Sequence, residues 1–193
     1  MPLLRWTPWM LVASRGLAGA VMASLAASGH LDDRIVLALW MLAFLSDYFD
    51  GVIARRLGVA TPALRSADSC VDTVFFAVLA WATWRLHPEA LRGHTTALAW
   101  MLGSLATWYA LDAWRWRAAA GFHTWSAKLF AVTLGAWVVL LYGFASDGWW
   151  PTIACAIGTA SHLEGMAISL TLRHRVSDVP TFVHALRLRH AQA

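Results

Sequence analysis

Six stretches of about 20 mostly apolar residues run through the sequence, and each is long enough to cross the hydrocarbon core of a bilayer as a helix. Hydrophobic residues make up 59% of the chain and charged residues 13%, against roughly 25% charged residues in an ordinary soluble domain. A water-soluble globule of this composition would lack the polar surface to cover itself. The sequence therefore predicts an all-α integral membrane bundle of six transmembrane helices, near residues 8–28, 35–55, 62–86, 95–112, 125–145 and 149–172.

Tryptophan is unusually frequent, with 13 copies, and many of them stand where an apolar stretch begins or ends. Such positions are typical of the aromatic belts at the two membrane–water interfaces, where an amphipathic ring is stable. The tryptophans at these positions are Trp6, Trp9, Trp84, Trp114, Trp116, Trp125, Trp149 and Trp150.

The Lys and Arg residues indicate how the bundle faces. Eleven of them lie in the N-terminus, the second and fourth loops and the C-terminal tail, whereas three lie in the loops on the opposite side. Loops rich in Lys and Arg stay in the cytoplasm. We therefore expect a multi-pass protein of a bacterial inner membrane with both termini in the cytoplasm. Its basic loops would attract anionic lipid head groups, and no nucleic-acid partner is expected.

No internal repeat or linker divides the chain, so a single membrane domain over residues 1–193 is the simplest expectation. One segment, residues 177–190, falls outside the six spans. Its apolar residues recur at helical spacing beside basic ones, which favours a short amphipathic helix on the cytoplasmic membrane surface, with Pro180 near its first turn. A frayed tail is the alternative. The apolar positions are Val179, Phe182, Val183 and Leu186.

Four of the chain's 11 acidic residues lie close together at the predicted cytoplasmic ends of the second and third spans. They are Asp47, Asp50, Asp68 and Asp72. An ionisable side chain at membrane depth costs about 3 kcal/mol or more unless it is paired or faces a wet cavity. The first two share one helical face, and the last two are one turn apart. Because four neighbouring carboxylates repel one another, we expect a cation between them.

The chemistry of these residues points to a metal and a phosphate. Carboxylate oxygens suit hard divalent ions such as Mg²⁺ or Mn²⁺, and no Cys or His cluster competes for a softer metal. Gly51 and Ala54, on the face of the first two aspartates, leave room for a bulky ligand. Arg55 and Arg56 follow directly, and a guanidinium beside such a site can clamp phosphate oxygens. Together these residues indicate phosphoryl-group transfer at the cytoplasmic face.

The same segment resembles the signature of the CDP-alcohol phosphatidyltransferases, D-x2-D-G-x2-A-R-x8-G-x3-D-x3-D. Seven of its eight fixed positions match at every interval, and Leu64 stands where the signature has its second Gly. More weakly, Pro8, Leu11 and Arg15 resemble the opening of the family's first span. Ala127-Lys128 resembles the start of an element found in members that use glycerophosphate. The matching positions are Asp47, Asp50, Gly51, Ala54, Arg55, Asp68 and Asp72.

The resemblance implies a role for each matching residue. The four aspartates would ligate one or two divalent ions that bridge the pyrophosphate of CDP-diacylglycerol. Gly51, Ala54, Arg55 and Thr61 would contact the CDP part of that lipid. Asp72 would also take the proton from the acceptor alcohol, which attacks the lipid-side phosphorus and expels CMP in phospholipid biosynthesis. Members of the family are typically homodimers, so a homodimer is expected here.

The sequence indicates the identity of the acceptor alcohol less clearly than that of the donor lipid. Glycerol 3-phosphate is the first choice, because Lys128 and the basic fourth loop offer positive charge to a phosphorylated alcohol. Serine and inositol phosphate remain alternatives, since contacts to the head group lie outside the signature. Basic residues in such loops are most often determinants of topology, and this is the alternative role of Lys128.

Residues outside the matching positions are interpreted separately. Leu64 would lie on the face of Asp68 and Asp72, where its side chain would narrow the pocket, because the signature has Gly there. The lipid nucleotide would then bind in a shifted pose or with poor affinity, or the donor would be an unusual one. Arg15 is either a ligand of substrate phosphate or a side chain that snorkels to the interface. His162 and Glu164 are best explained by a polar contact between helices.

A different class of function uses the same carboxylates. In a divalent-cation transporter they would hold an ion in transit. Such a path has no need of Gly51, Ala54 and Arg55 at these intervals, so the sequence favours the enzyme.

Overall fold

The computed structural model describes residues 6–59, 61–117, 122, 124–146, 148–174, 176 and 179–191. These residues form eight helices and no strand. In chain order the helices are α1 (Thr7–Ser28), α2 (Asp33–Leu57), α3 (Pro62–Leu86), α4 (Pro88–Arg92), α5 (Thr95–Trp116), α6 (Trp125–Phe144), α7 (Trp150–Thr171) and α8 (Phe182–Ala191).

The long helices coincide with the six predicted spans to within a few residues. In the part of the chain that the structure describes, five of them are long and apolar enough to cross a membrane, namely α1, α2, α3, α6 and α7. Helix α5 has 22 residues, a sufficient length, but it is not among the helices that are apolar enough by this measure. The all-α membrane bundle is thus confirmed, whereas the count of six spans is not.

Tryptophans near the helix ends have largely exposed side chains. Trp6, Trp114, Trp125 and Trp149 are all more exposed than buried. Because an interfacial tryptophan keeps its ring at the edge of the bilayer and not in the protein core, this exposure agrees with the expected aromatic belts.

Local sequence explains where several helices begin. Thr61 has an extended backbone and its Oγ1 accepts a hydrogen bond of 3.2 Å from the Leu64 N–H, which is the expected N-cap of α3. Thr124 caps α6 in the same way, through the Ala127 N–H at 3.1 Å. Pro residues occupy the first turn of α1, α3 and α7, where a missing N–H costs nothing.

The chain divides into two compact units, and the first comprises residues 1–88. In it α1 packs against both α2 and α3, which contact each other much less. Helices α1 and α3 approach closely at Gly19 of α1, where an added Cβ would lie 3.4 Å from the Phe75 ring of α3. The buried positions of α1 recur every three or four residues, as a helix packed along one face requires: Pro8, Val12, Arg15, Ala18, Gly19, Met22 and Ala26.

The second unit comprises residues 89–193, and α7 is its central helix. Helix α7 packs against α5, α6 and α8. Two glycines allow aromatic rings to rest on its backbone. A Cβ at Gly158 would lie 2.9 Å from the Phe130 ring, and a Cβ at Gly165 would lie 2.6 Å from the Trp108 ring. The expectation of a single domain over residues 1–193 remains a prediction.

The C-terminal segment is a helix and not a frayed tail. Helix α8 begins at Phe182, two residues after Pro180. Val179 is buried in an apolar cluster with Phe122, Ile168, Leu172 and Ala185, so it anchors the segment on α7. The other residues of the predicted apolar face are at least one third exposed, as a helix laid on a membrane surface requires: Phe182, Val183 and Leu186.

Candidate functional site

Three aspartates converge in the first unit. Asp47 comes from α2, and Asp68 and Asp72 come from successive turns of α3. One carboxylate oxygen from each lies within 4.8 Å of the other two. Their side chains are 53%, 31% and 32% exposed, respectively, so the group can be reached from outside the protein. The predicted convergence of acidic groups from two helices is therefore present for these three residues.

A fourth side chain, Arg15 from α1, holds this group together. Its Nη1 donates a hydrogen bond of 2.8 Å to Asp68 Oδ1 and lies 3.3 Å from Asp47 Oδ1. The same nitrogen also contacts Asp72 Oδ1. Arg15 is only 1% exposed, so it does not snorkel to the interface, and that interpretation is wrong. The other, a ligand of substrate phosphate, stays open.

Charge neutralisation explains the arrangement. A buried guanidinium and three carboxylates at membrane depth each cost free energy alone, and pairing them lowers that cost, with one positive charge set against three negative ones. Helix α1 is the element that contacts both acidic helices, so a cation placed on α1 can reach aspartates on either side. The structure thus adds a fourth member to the site that the signature alone does not contain.

The pairing of Arg15 with the three aspartates could have been predicted from the sequence, from the distance of each residue to the end of its helix. Arg15 lies eight residues after Thr7, where α1 begins, and Asp47 lies ten residues before the end of α2. Asp68 and Asp72 lie six and ten residues after Pro62, where α3 begins. Short loops make consecutive helices antiparallel, so all four residues lie about 9–15 Å from the same ends of the three helices.

Part of the predicted site lies outside the described side chains. The backbone of α2 is helical through Asp50, Ala54 and Arg55, but the side chains of these residues are not described. Gly51 is half-buried one turn after Asp47. Thr61 is exposed at the start of α3, where it caps the helix.

Lys128 belongs to the second unit, in the first turn of α6. Its Nζ lies 4.2 Å from the centre of the Trp125 ring, a cation–π contact within its own helix. An acceptor role for Lys128 remains a proposal.

Leu64, the departure from the signature, is buried. It packs with Val12 of α1, and Val59, Ala67 and Val71 lie against this pair. The isobutyl group therefore fills the contact between α1 and α3, on the side of α3 from which Asp68 reaches Arg15. Leucine at this position contributes packing where glycine would leave space.

The polar residues of α7 contact neighbouring helices, as predicted. His162 Nδ1 and Ser104 Oγ of α5 are hydrogen-bonded at 2.9 Å. Glu164 accepts a hydrogen bond from Ser126 of α6, and one of 3.1 Å from the backbone N–H of Phe182 at the start of α8. One feature not expected from the sequence is Asp112 of α5, which is fully buried and accepts a hydrogen bond from Ser169. These contacts tie α7 to α5, α6 and α8.

The aspartate group fits a hard divalent cation. All three ligands are carboxylate oxygens, the donor type that Mg²⁺ and Mn²⁺ prefer. At a metal–oxygen distance of about 2.1 Å, two ligands of one ion lie at most about 4.2 Å apart. A small rotation of the side chains closes the observed spread of up to 4.8 Å. Fold and site together define a helical membrane protein with a carboxylate centre that suits a divalent metal.

The sequence profile of the CDP-alcohol phosphatidyltransferase family matches residues 5–161 of the 193. The chain belongs to the CDP-alcohol phosphatidyltransferase family. No curated protein and no solved structure matches it significantly. Membership of the family makes this chain a multi-pass integral membrane phosphotransferase of phospholipid biosynthesis. It transfers a phosphatidyl group from a CDP-alcohol to an acceptor alcohol, and the family generally uses a divalent metal.

Proposed function

We propose that this protein transfers the phosphatidyl group of CDP-diacylglycerol to a small polar alcohol, with glycerol 3-phosphate as the first-choice acceptor and CMP as the leaving group. The convergence of Asp47, Asp68 and Asp72 within 4.8 Å, at the positions that the family signature requires, is the observation that supports it. Serine and inositol phosphate are the alternative acceptors.

Asp47, Asp50, Asp68 and Asp72 would hold Mg²⁺ or Mn²⁺. When bound, the metal would supply positive charge to the pyrophosphate oxygens of the donor lipid and to the departing CMP. Gly51, Ala54, Arg55 and Thr61 would contact the CDP part. A small residue at two of these positions allows the nucleotide to lie close to the helix, and a guanidinium offers two parallel donors to a phosphate.

Asp72 is the proposed general base. Its carboxylate would accept the proton of the acceptor hydroxyl as that oxygen forms a bond to the lipid-side phosphorus. The bond between this phosphorus and the oxygen of CMP breaks, and the phosphatidyl group ends on the alcohol. Asp72 is about one third exposed, which leaves room for an alcohol to approach. Its ion pair with Arg15 of α1 holds the carboxylate in place.

Lys128 would bind the phosphate of glycerol 3-phosphate, since an ammonium at the start of α6 is a suitable partner for a phosphorylated acceptor. We also propose that the termini and the aspartates face the cytoplasm, and that the protein is a homodimer. The excess of Lys and Arg in the N-terminus, the second and fourth loops and the tail supports the orientation.

An assay on the purified full-length protein tests the reaction. CDP-diacylglycerol and Mn²⁺ or Mg²⁺ are supplied with glycerol 3-phosphate, serine or inositol phosphate in parallel, and both CMP and the lipid product are measured. We expect CMP release that depends on the metal and on one acceptor, with glycerol 3-phosphate the most effective. Metal flux into proteoliposomes without CMP release would instead indicate a divalent-cation transporter.

The variant Asp72→Asn tests the assignment of the base. Loss of a general base lowers turnover by about 10²-fold or more, so we expect kcat for CMP release to fall by at least that factor. Asp33→Asn is the matched control, because Asp33 lies at the other end of α2 and pairs with His87 at 2.7 Å. Near wild-type kcat in Asp72→Asn would show that another group takes the proton.

A further inference from the structure

A single nitrogen occupies the centre of the aspartate group. Arg15 Nη1 contacts a carboxylate oxygen of Asp47, Asp68 and Asp72 at once, and these oxygens come from two different helices. Carboxylate oxygens surround a bound divalent metal ion in the same way. The guanidinium therefore lies where a cation bound by the same three oxygens would lie.

The two cations exclude each other from this position. Ligand oxygens of Mg²⁺ or Mn²⁺ approach the ion to about 2.1 Å, which leaves no space for a nitrogen between them. Two positive centres at such close range would also repel each other strongly. The contacts of Arg15 with the three aspartates must therefore break before these aspartates can share a metal ion.

The surroundings of Arg15 show that the contact is built into the fold. The residue lies on the buried face of α1, between Val12 and Ala18, and it is 1% exposed. A guanidinium held there without an anion would be expensive, so the aspartates stabilise it as much as it stabilises them. The metal-free protein thereby avoids three unpaired carboxylates at membrane depth.

We propose that Arg15 is an internal counter-ion of the aspartate group, which stabilises the metal-free protein and competes with the divalent cation for the same carboxylates. This inference rests on the proposed metal site. Competition from Arg15 would make metal affinity weaker than the carboxylates alone would allow. Arginine at this position thus sets the metal concentration at which the site fills.

Direct metal binding tests the proposal without reference to activity. The full-length protein is purified in detergent, stripped of metal and titrated with Mn²⁺, and free Mn²⁺ is measured by electron paramagnetic resonance. Removal of one competing charged hydrogen bond is worth on the order of a tenfold change in affinity, so Arg15→Gln should bind Mn²⁺ about tenfold more tightly than the wild type. Arg34→Gln, near the start of α2 and far along it from Asp47, is the control and should bind like the wild type.

The measured affinities distinguish failure of the proposed role of Arg15 from failure of the proposed metal site. If the wild type binds Mn²⁺ and Arg15→Gln binds it equally or less tightly, Arg15 is not a competitor, although the metal site stands. Weaker binding would mean that Arg15 holds the carboxylates in a geometry that the metal needs. If neither protein binds Mn²⁺, the proposed site and the role of Arg15 both fall.

A second variant covers the case in which Arg15→Gln does not fold. Arg15→Lys keeps the positive charge on a shorter side chain with fewer donors, so it should hold the three carboxylates less well. We expect its Mn²⁺ affinity to lie above that of the wild type. In both variants, Mn²⁺ should raise the unfolding temperature by more than it does in the wild type, because their metal-free forms lack the full counter-ion. An equal or smaller rise would contradict the proposal.

Discussion

Neighbouring side chains of α1 make two kinds of contact, an ion pair and an apolar packing contact. Arg15 answers the negative charge of the aspartates, while Val12, one turn earlier on α1, packs against Leu64 of α3. The carboxylate cluster therefore adjoins an apolar contact made by the same two helices. Since charged groups need fixed partners at this depth, the apolar contact helps keep those partners in register.

Leu64 offers a test of this packing at the level of one residue. Its side chain is 5% exposed, and truncation of a buried leucine to alanine costs roughly 2–5 kcal/mol. We expect Leu64→Ala to lower the free energy of unfolding in detergent by an amount in this range. Leu57→Ala is the matched control, because Leu57 is 40% exposed in the last turn of α2 and should change stability far less. Equal losses in both variants would contradict the proposed role of Leu64 as a packing residue.

The residues at the start of α3 determine where this helix begins, and so where its two aspartates lie. Asp68 and Asp72 lie on its second and third turns, so the depth at which they lie depends on where the helix begins. That start is set by Thr61 and by Pro62 after it.

The N-cap can be tested by two substitutions at the same position. Thr61→Val removes the hydroxyl but keeps the shape, and loss of such a cap costs about 1 kcal/mol. We expect a fall in unfolding free energy of that size, measured by chemical denaturation. Thr61→Ser keeps the acceptor for the Leu64 N–H and should stay close to the wild type. A serine variant as unstable as the valine variant would show that the hydroxyl is not the stabilising group.

Helix α7 depends on a close approach that only glycine permits. At Gly165 an added methyl group would lie 2.6 Å from the Trp108 ring, so Gly165→Ala must push the ring or the helix aside. Overpacking of this kind costs roughly 1–3 kcal/mol, and we expect a matching drop in thermal stability. In Gly103→Ala the new methyl meets no atom within 4 Å, so this control should be neutral or slightly stabilised, because alanine favours helix. A neutral Gly165→Ala would argue against the tight contact.

At the scale of the whole molecule, the directions in which α6 and α7 cross the membrane depend on whether α5 spans it. With six spans, the loop between α6 and α7 lies on the side opposite both termini. If α5 does not span, the same loop lies on the side of the N-terminus, and the C-terminal tail lies across the membrane from it. The loop includes Ser146, which is exposed.

A cysteine at position 146 distinguishes the two topologies. Cys70 and Cys155 are first replaced by alanine, and Ser146→Cys is then treated in intact cells with a thiol reagent that does not cross membranes. We expect labelling from outside, because the proposed orientation places this loop across the membrane from both termini. A cysteine at Gly58, in the basic second loop, is the control and should react only after the cells are opened. Protection of position 146 in intact cells would rule out six spans in the proposed orientation.

Hydropathy and capping residues were enough to locate the helices. Apolar stretches of about 20 residues predicted the bounds of α1, α2, α3, α5, α6 and α7, because a membrane helix must be apolar along its length. The intervals between Asp47 and Asp72 likewise predicted a shared acidic site, since helical period alone places i and i+4 on one face.

Only the tertiary structure decided which helix faces which. Arg15 had two interpretations from the sequence, and neither of them paired it with Asp47, Asp68 and Asp72. Leu64 was expected on the face of Asp68 and Asp72, and the structure added that it packs there on Val12 of α1. A helical repeat specifies which residues share a face, but the partner of that face is chosen by packing between segments more than 50 residues apart. The sequence by itself therefore determined the helices and the group of aspartates, and the packing of α1 against α2 and α3 determined which cation pairs with that group.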